Sequence, residues 1–279
     1  MIRKSKSTKI DNNSRTMLMK QQQNPSTTSI YHDYYSSSSS SLSSLSLSTS
    51  KNETFLANLK IMSTLLHGFL LSIFGATYLF TIWFSWNKNR SIIWDYLYLT
   101  HWNLTFQVFF LIIELLSDFS STFDEMTIIF RSKFLHSILI PFSLCVSIVF
   151  WVICIFYNEN VLRGPPAERW PEWHNHISHT IILPAIVIEC IINDHRLPIG
   201  YHSLMITIVM GATYILWVTF FGVVFGKYSY ELIETASATK TIFFFLLLMI
   251  FLIIANHIGR WLHIIYWRKR RTTLMQKNK

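Results

Sequence analysis

The stretch NHISHTIILPAIVIE, residues 175–189, decides how this chain is read. It opens with two histidines three apart, His176 and His179, and continues as an apolar run. A spanning helix needs about 20 predominantly apolar residues. Taken over 174–193, this run is the least hydrophobic of the candidates. If it crosses a membrane, the chain has six spans; if it is re-entrant, four or five. Imidazole is costly to place in hydrocarbon, so a histidine inside a span marks a functional site by default.

Working outward, hydrophobic residues make up 51% of the 279 and charged residues 14%. Roughly 25% charge is usual in a soluble chain, so the composition is that of a membrane protein. The net charge of +9 does not point to nucleic acid, and no nucleic-acid partner is expected. The basic residues collect at the chain ends and beside apolar runs, where they set topology. Cys145, Cys154 and Cys190 lie inside apolar runs with no metal-ligand spacing, and read as buried small hydrophobes.

Six runs read as spans: about 61–84, 94–117, 135–157, 174–193, 202–226 and 241–265. Backbone in lipid must satisfy its own hydrogen bonds, so the expected fold is an all-α polytopic membrane bundle of about six transmembrane helices. Three regions follow: a disordered Ser-rich cytosolic tail (1–55), the six-span domain (56–267) and a basic cytosolic tail (268–279). Lys51, Lys60, Arg131 and Lys133 (in the 118–134 loop), Arg196 and the cluster at 268–271 outweigh the bases on the other side, which favours cytosolic N- and C-termini. Trp83, Trp86, Trp94, Trp170 and Trp173 read as an interfacial belt at the opposite ends.

In the second span, Thr100, Asn103, Gln107 and Glu114 fall within roughly 60° of one another at about 100° per residue. A polar stripe of this kind faces protein or a water-filled cavity, either as interhelical glue or as a site. In the fourth span, His176 and His179 share a face, with Thr180 beside them and Glu189 further down. Pro184 removes one backbone donor and can kink the helix. Thr100 and His179 both stand roughly 8–9 Å below the starts of their spans at 1.5 Å per residue, so they can meet if the helices are neighbours. A hydroxyl beside an imidazole suits nucleophilic acyl chemistry. Asn103 or His176 could orient the imidazole or serve an oxyanion, and the spacing does not choose between them. Other readings stay open: a haem or zinc site drawing on His67, His179 and His257, or a transporter, receptor, regulator or scaffold without catalysis.

Residues 61–267 resemble the androgen-induced gene 1 / androgen-dependent TFPI-regulating protein family. The resemblance rests on PEWHNHISHTIILPAIVIE (171–189), LTHWNLTFQVFF (99–110), Pro141 with Phe150 and Trp151, and GATYILWV (211–218). It implies a six-span protein of the endomembrane system, endoplasmic reticulum or plasma membrane. It further implies a threonine hydrolase that takes fatty acid esters of hydroxy fatty acids from the bilayer, with membrane lipids around it. Catalytic roles carry over to Thr100 as nucleophile and His179 as base. Asn103, His176 and Gln107 are supporting candidates, and no cofactor or metal is required. The chain departs from the family at Asn103, where an acidic residue is usual, at Gly222-Val223, where some members carry a histidine pair, and at Tyr228–Glu231. Oligomeric state is left open.

Overall fold

The structure is a computed structural model. It describes residues 46–156, 170–193, 195, 197–198, 201–227 and 237–277, with side chains described from 57 to 267. The tail through residue 45, the segment carrying Arg163 and Arg169, Arg196 and the departure at Tyr228–Glu231 lie outside the described residues; from Ser46 the chain is helical.

Among the described residues there is no strand. Six helices of the described residues are long and apolar enough to span: α1 (Ala57–Asn87), α2 (Leu99–Phe119), α3 (Ser121–Phe156), α4 (Glu172–Ile192), α5 (His202–Phe225) and α6, whose apolar part is Ala238–Trp267. The fourth run is therefore a full helix, and the protein is multi-pass. Leu65, Leu79, Ile155 and Leu216 lie on the outside, while His67, Asn103, Gln107, Glu114 and Asn256 are inside. Polar groups turned in and apolar ones turned out is the order that a hydrocarbon surround imposes. Helix α3 packs against α2, α4, α5 and α6.

Two expected boundaries move. The 118–134 loop does not exist: α2 and α3 are separated by Ser120 alone. Ser120 is extended, and its hydroxyl accepts from the Phe123 N–H as an N-cap. Arg131, counted as a charge on that loop, is buried and paired with Glu114 and Asp124. The second span begins at Leu99 rather than 94, because Ile92–Leu97 is a separate 3₁₀ helix. That segment is tied down by Tyr214 Oη donating to the Leu97 carbonyl at 2.9 Å and Trp102 Nε1 donating to the Tyr96 carbonyl at 2.8 Å.

Two helices contain a single wide π turn, Leu135–Leu139 in α3 and Ile177–Ile181 in α4. Both stand just before a proline, Pro141 and Pro184. Proline lacks the N–H that would bond the carbonyl four residues back, and its ring crowds that carbonyl. Those carbonyls belong to Ser137 and Thr180, each inside a π turn. The Ser137 carbonyl accepts instead from Thr207 Oγ1 of α5 at 2.6 Å.

Candidate active site

Thr100 stands one residue inside α2 and His179 seven inside α4. Equal depth from the helix starts is therefore not what brings them together. The 3₁₀ segment delays α2, and the two side chains meet at its first turn: Thr100 Oγ1 lies 3.0 Å from His179 Nε2. On the far side of the ring, His179 Nδ1 lies 2.9 Å from the Asn175 carbonyl. A carbonyl only accepts, so Nδ1 carries the proton. Nε2 then presents its lone pair, and the Thr100 hydroxyl donates to it. Phe150 stacks on the imidazole at 3.7 Å between centroids and 16° between planes, which fixes the ring.

The pair opens on a cavity of about 180 Å³ with an apolar wall that includes Val146, Val149, Ile153, Phe244 and Leu248. Its polar lining adds His101 and His174, which the sequence reading did not place in the site. His174 Nε2 shares a hydrogen bond with Thr81 Oγ1 at 2.9 Å, and Trp170 stacks on the His174 ring at 4.5 Å. Trp170 is thus a wall of the site. Phe84 and His101 also pack on the Trp170 indole, and the Arg90 guanidinium lies 5.4 Å above it. Arg90 donates to Asp95 Oδ1 at 2.5 Å. Burial pushes the Asp95 carboxyl above its ordinary range, with Ser85 and Arg90 pulling it back. Among the described residues, neither ring nitrogen of His101 has a partner, nor has His174 Nδ1.

The supporting candidates lie elsewhere. His176 is exposed, close to Trp151 and 3.5 Å from Thr180 Oγ1. The π turn between the two histidines is wider than an α turn, so a spacing of three no longer shares one face. Asn103 and Gln107 are buried as expected, but they meet at Ser143 of α3. Ser143 Oγ donates to Asn103 Oδ1 at 3.2 Å and accepts from Gln107 Nε2 at 3.0 Å. The departure from the family at Asn103 therefore bears on the α2–α3 contact rather than on the ring of His179. Nor do His67, His179 and His257 converge. His67 bonds Asp118 and Glu189, and His257 is exposed.

The family of FAR-17a/AIG1-like proteins matches residues 62–264. Androgen-induced gene 1 protein of Homo sapiens is 29% identical over 160 residues, 53% of this chain and 67% of that protein. Androgen-dependent TFPI-regulating protein of Mus musculus is 28% identical over 118 residues, 42% of this chain and 50% of that protein. The Mesocricetus auratus protein of the same name is 26% identical over 155 residues, 53% of this chain and 64% of that protein. The chain thus spans about half to two thirds of the length of the curated relatives it matches. No solved structure matches it.

Proposed function

Because the chain belongs to the FAR-17a/AIG1-like family, we propose that it is an integral membrane lipid hydrolase cleaving fatty acid esters of hydroxy fatty acids. The observation that carries the reading is the Thr100–His179 hydrogen bond of 3.0 Å, with Nδ1 held on a carbonyl, beside an apolar cavity.

The substrate enters from the bilayer. Thr100 Oγ1 attacks the ester carbonyl carbon as its proton passes to His179 Nε2. The tetrahedral intermediate collapses, and the imidazolium gives the proton to the departing hydroxy acid oxygen. An acyl-threonine stays behind. His179 then takes a proton from water, the hydroxide attacks the acyl carbon, and the fatty acid leaves as Thr100 regains its hydrogen. The oxyanion forms at the start of α2, where backbone N–H groups and the positive end of the helix dipole face it and no side chain caps the turn. Arg90, whose Nε has no partner among the described residues, supplies a cation for the free carboxylate of the hydroxy acid. The cavity is smaller than the roughly 300–1,000 Å³ that encloses a drug-sized ligand. It takes the ester and the adjoining carbons, and the remaining chain lies among the helices and lipid. In this reading both termini face the cytosol, and the membrane is that of the endomembrane system, endoplasmic reticulum included, or the plasma membrane.

The test incubates purified protein with a branched fatty acid ester and follows fatty acid release. Thr100→Ala and His179→Ala should each lower kcat/KM by about 10³-fold or more, roughly 4 kcal/mol of transition-state stabilisation. Equal turnover by the wild type and both variants sinks the mechanism. A fluorophosphonate probe whose labelling survives Thr100→Ala points to another nucleophile.

A further inference from the structure

At the other end of the same helices lies a second polar centre that the hydrolase reading does not use. Glu114 is fourteen residues along α2 from Thr100, and Glu189 is ten along α4 from His179, about 21 and 15 Å at 1.5 Å per residue. His67 of α1, Glu114 and Glu189 are 1–2% exposed. Each offers a ligand atom, and these atoms lie within 4.8 Å of one another. We propose that His67, Glu114 and Glu189 bind a divalent transition-metal ion of the zinc class, joining α1, α2 and α4.

The argument rests on what each residue does with its remaining atoms. His67 Nδ1 bonds Asp118 Oδ2 at 2.7 Å, and Nε2 faces the centre, where it meets Glu189 Oε2 at 2.9 Å and Asn193 Nδ2 at 3.3 Å. That is the carboxylate–histidine pairing that orients an imidazole toward a metal and raises its basicity. Glu189 Oε1 accepts from Asn193 Nδ2 at 2.9 Å and is 2.7 Å from His195 Nε2, leaving Oε2 facing His67 Nε2 at 2.9 Å. Glu114 Oε2 is engaged by Arg131, and Glu114 Oε1 is buried with no partner among the described residues. Each of the three residues thus has one atom anchored outside the centre, and the facing His67 Nε2 and Glu189 Oε2 share a proton that an ion would displace. An unpartnered carboxylate oxygen at 2% exposure costs desolvation energy unless something answers it.

The donor set selects the ion. One imidazole and two carboxylates suit zinc better than calcium or magnesium, which favour all-oxygen sites. Atoms bound at about 2.0–2.2 Å to one tetrahedral ion stand roughly 3.3–3.6 Å apart, so small side-chain movements close the cluster. Charge agrees as well. Asp118, Glu114, Glu189 and the part-exposed Asp124 against Arg131 leave three negative charges, two of which a dication offsets. Water takes the fourth position.

The experiment measures zinc by mass spectrometry in the purified full chain, and thermal unfolding with chelator and after zinc is returned. About one zinc per chain is expected, with a Tm lowered by roughly 5–10 °C on chelation and restored by zinc. Glu114→Gln and His67→Gln should each lower bound zinc at least tenfold and abolish the zinc-dependent Tm shift. Two results overturn the site. One is no bound zinc and no response of the chelated wild type to zinc, which leaves an ion-pair cluster neutralised by protonated imidazoles. The other is zinc retained equally by both variants, which places the ion elsewhere. If a variant fails to fold, chelation and return of zinc to the wild type decide the question. None of these readouts depends on ester hydrolysis.

Discussion

Pro184→Ala isolates what the wide turn in α4 does. Pro184 is absent from the cavity lining, so the change touches no substrate. Alanine returns the N–H that would bond the Thr180 carbonyl and removes the ring that crowds it. Proline inside a helix is about 3 kcal/mol less favourable than alanine. Replacing it therefore favours a regular α turn over the π turn at Ile177–Ile181 by a population factor on the order of 10². A regular turn holds one residue fewer, so His179 would turn by about 100° and shift about 1.5 Å along the axis relative to its neighbours. The 3.0 Å contact with Thr100 cannot survive that displacement. Stability and activity should move in opposite directions: Tm rises in thermal unfolding, and kcat/KM for fatty acid release falls on the order of 10²-fold. Wild-type turnover accompanied by a raised Tm would show that the wide turn does not hold His179 in place. A lowered Tm would show that Pro184 is not the cause of the wide turn.

Two further changes probe the packing that supports this geometry. Thr207→Val removes the donor to the Ser137 carbonyl and an acceptor for Asn256 Nδ2. It should cost about 1–3 kcal/mol in thermal unfolding, while Thr207→Ser keeps most of the stability. A methyl at Gly259 would overlap Ile140 Cγ2, whereas one at Gly68 meets nothing within 4 Å. Gly259→Ala should destabilise by about 1–3 kcal/mol, and Gly68→Ala should stabilise by about 0.5–1 kcal/mol. The same sign for both would contradict the close approach of α6 to α3.

The six spans were legible because side-chain transfer energy is additive along the chain, and the α2 stripe because helical period turns spacing into direction. The hydropathy of residues 121–134 misled for the same reason: it scores side chains in lipid, whereas a helix there needs only the Ser120 cap and an inward face at Arg131 and Ser132. The two histidines of NHISHT were assigned to one face by α-helical geometry, which the π turn breaks. The signal for that turn was present in Pro184. His174 and His179, five apart, would stand about 140° from one another on an α-helix, yet the structure buries both. Their shared burial depends on that turn. The cluster of His67, Asp118, Glu114, Glu189 and His195 was not legible, because its members come from three helices and the segment after α4. Nothing local announces which spans are neighbours.

The single residue between α2 and α3 has a consequence for how the chain enters its membrane. An arginine at the bilayer centre costs about 2.5–3.5 kcal/mol on the insertion scale, and Arg131 ends up 6% exposed. Its two carboxylates are near in sequence, Asp124 on its own helix and Glu114 just across Ser120. The charge therefore finds its counter-ions within one helical hairpin, before α4, α5 or α6 has been synthesised. During biogenesis α2 and the start of α3 can be handed to the bilayer with Arg131 already paired.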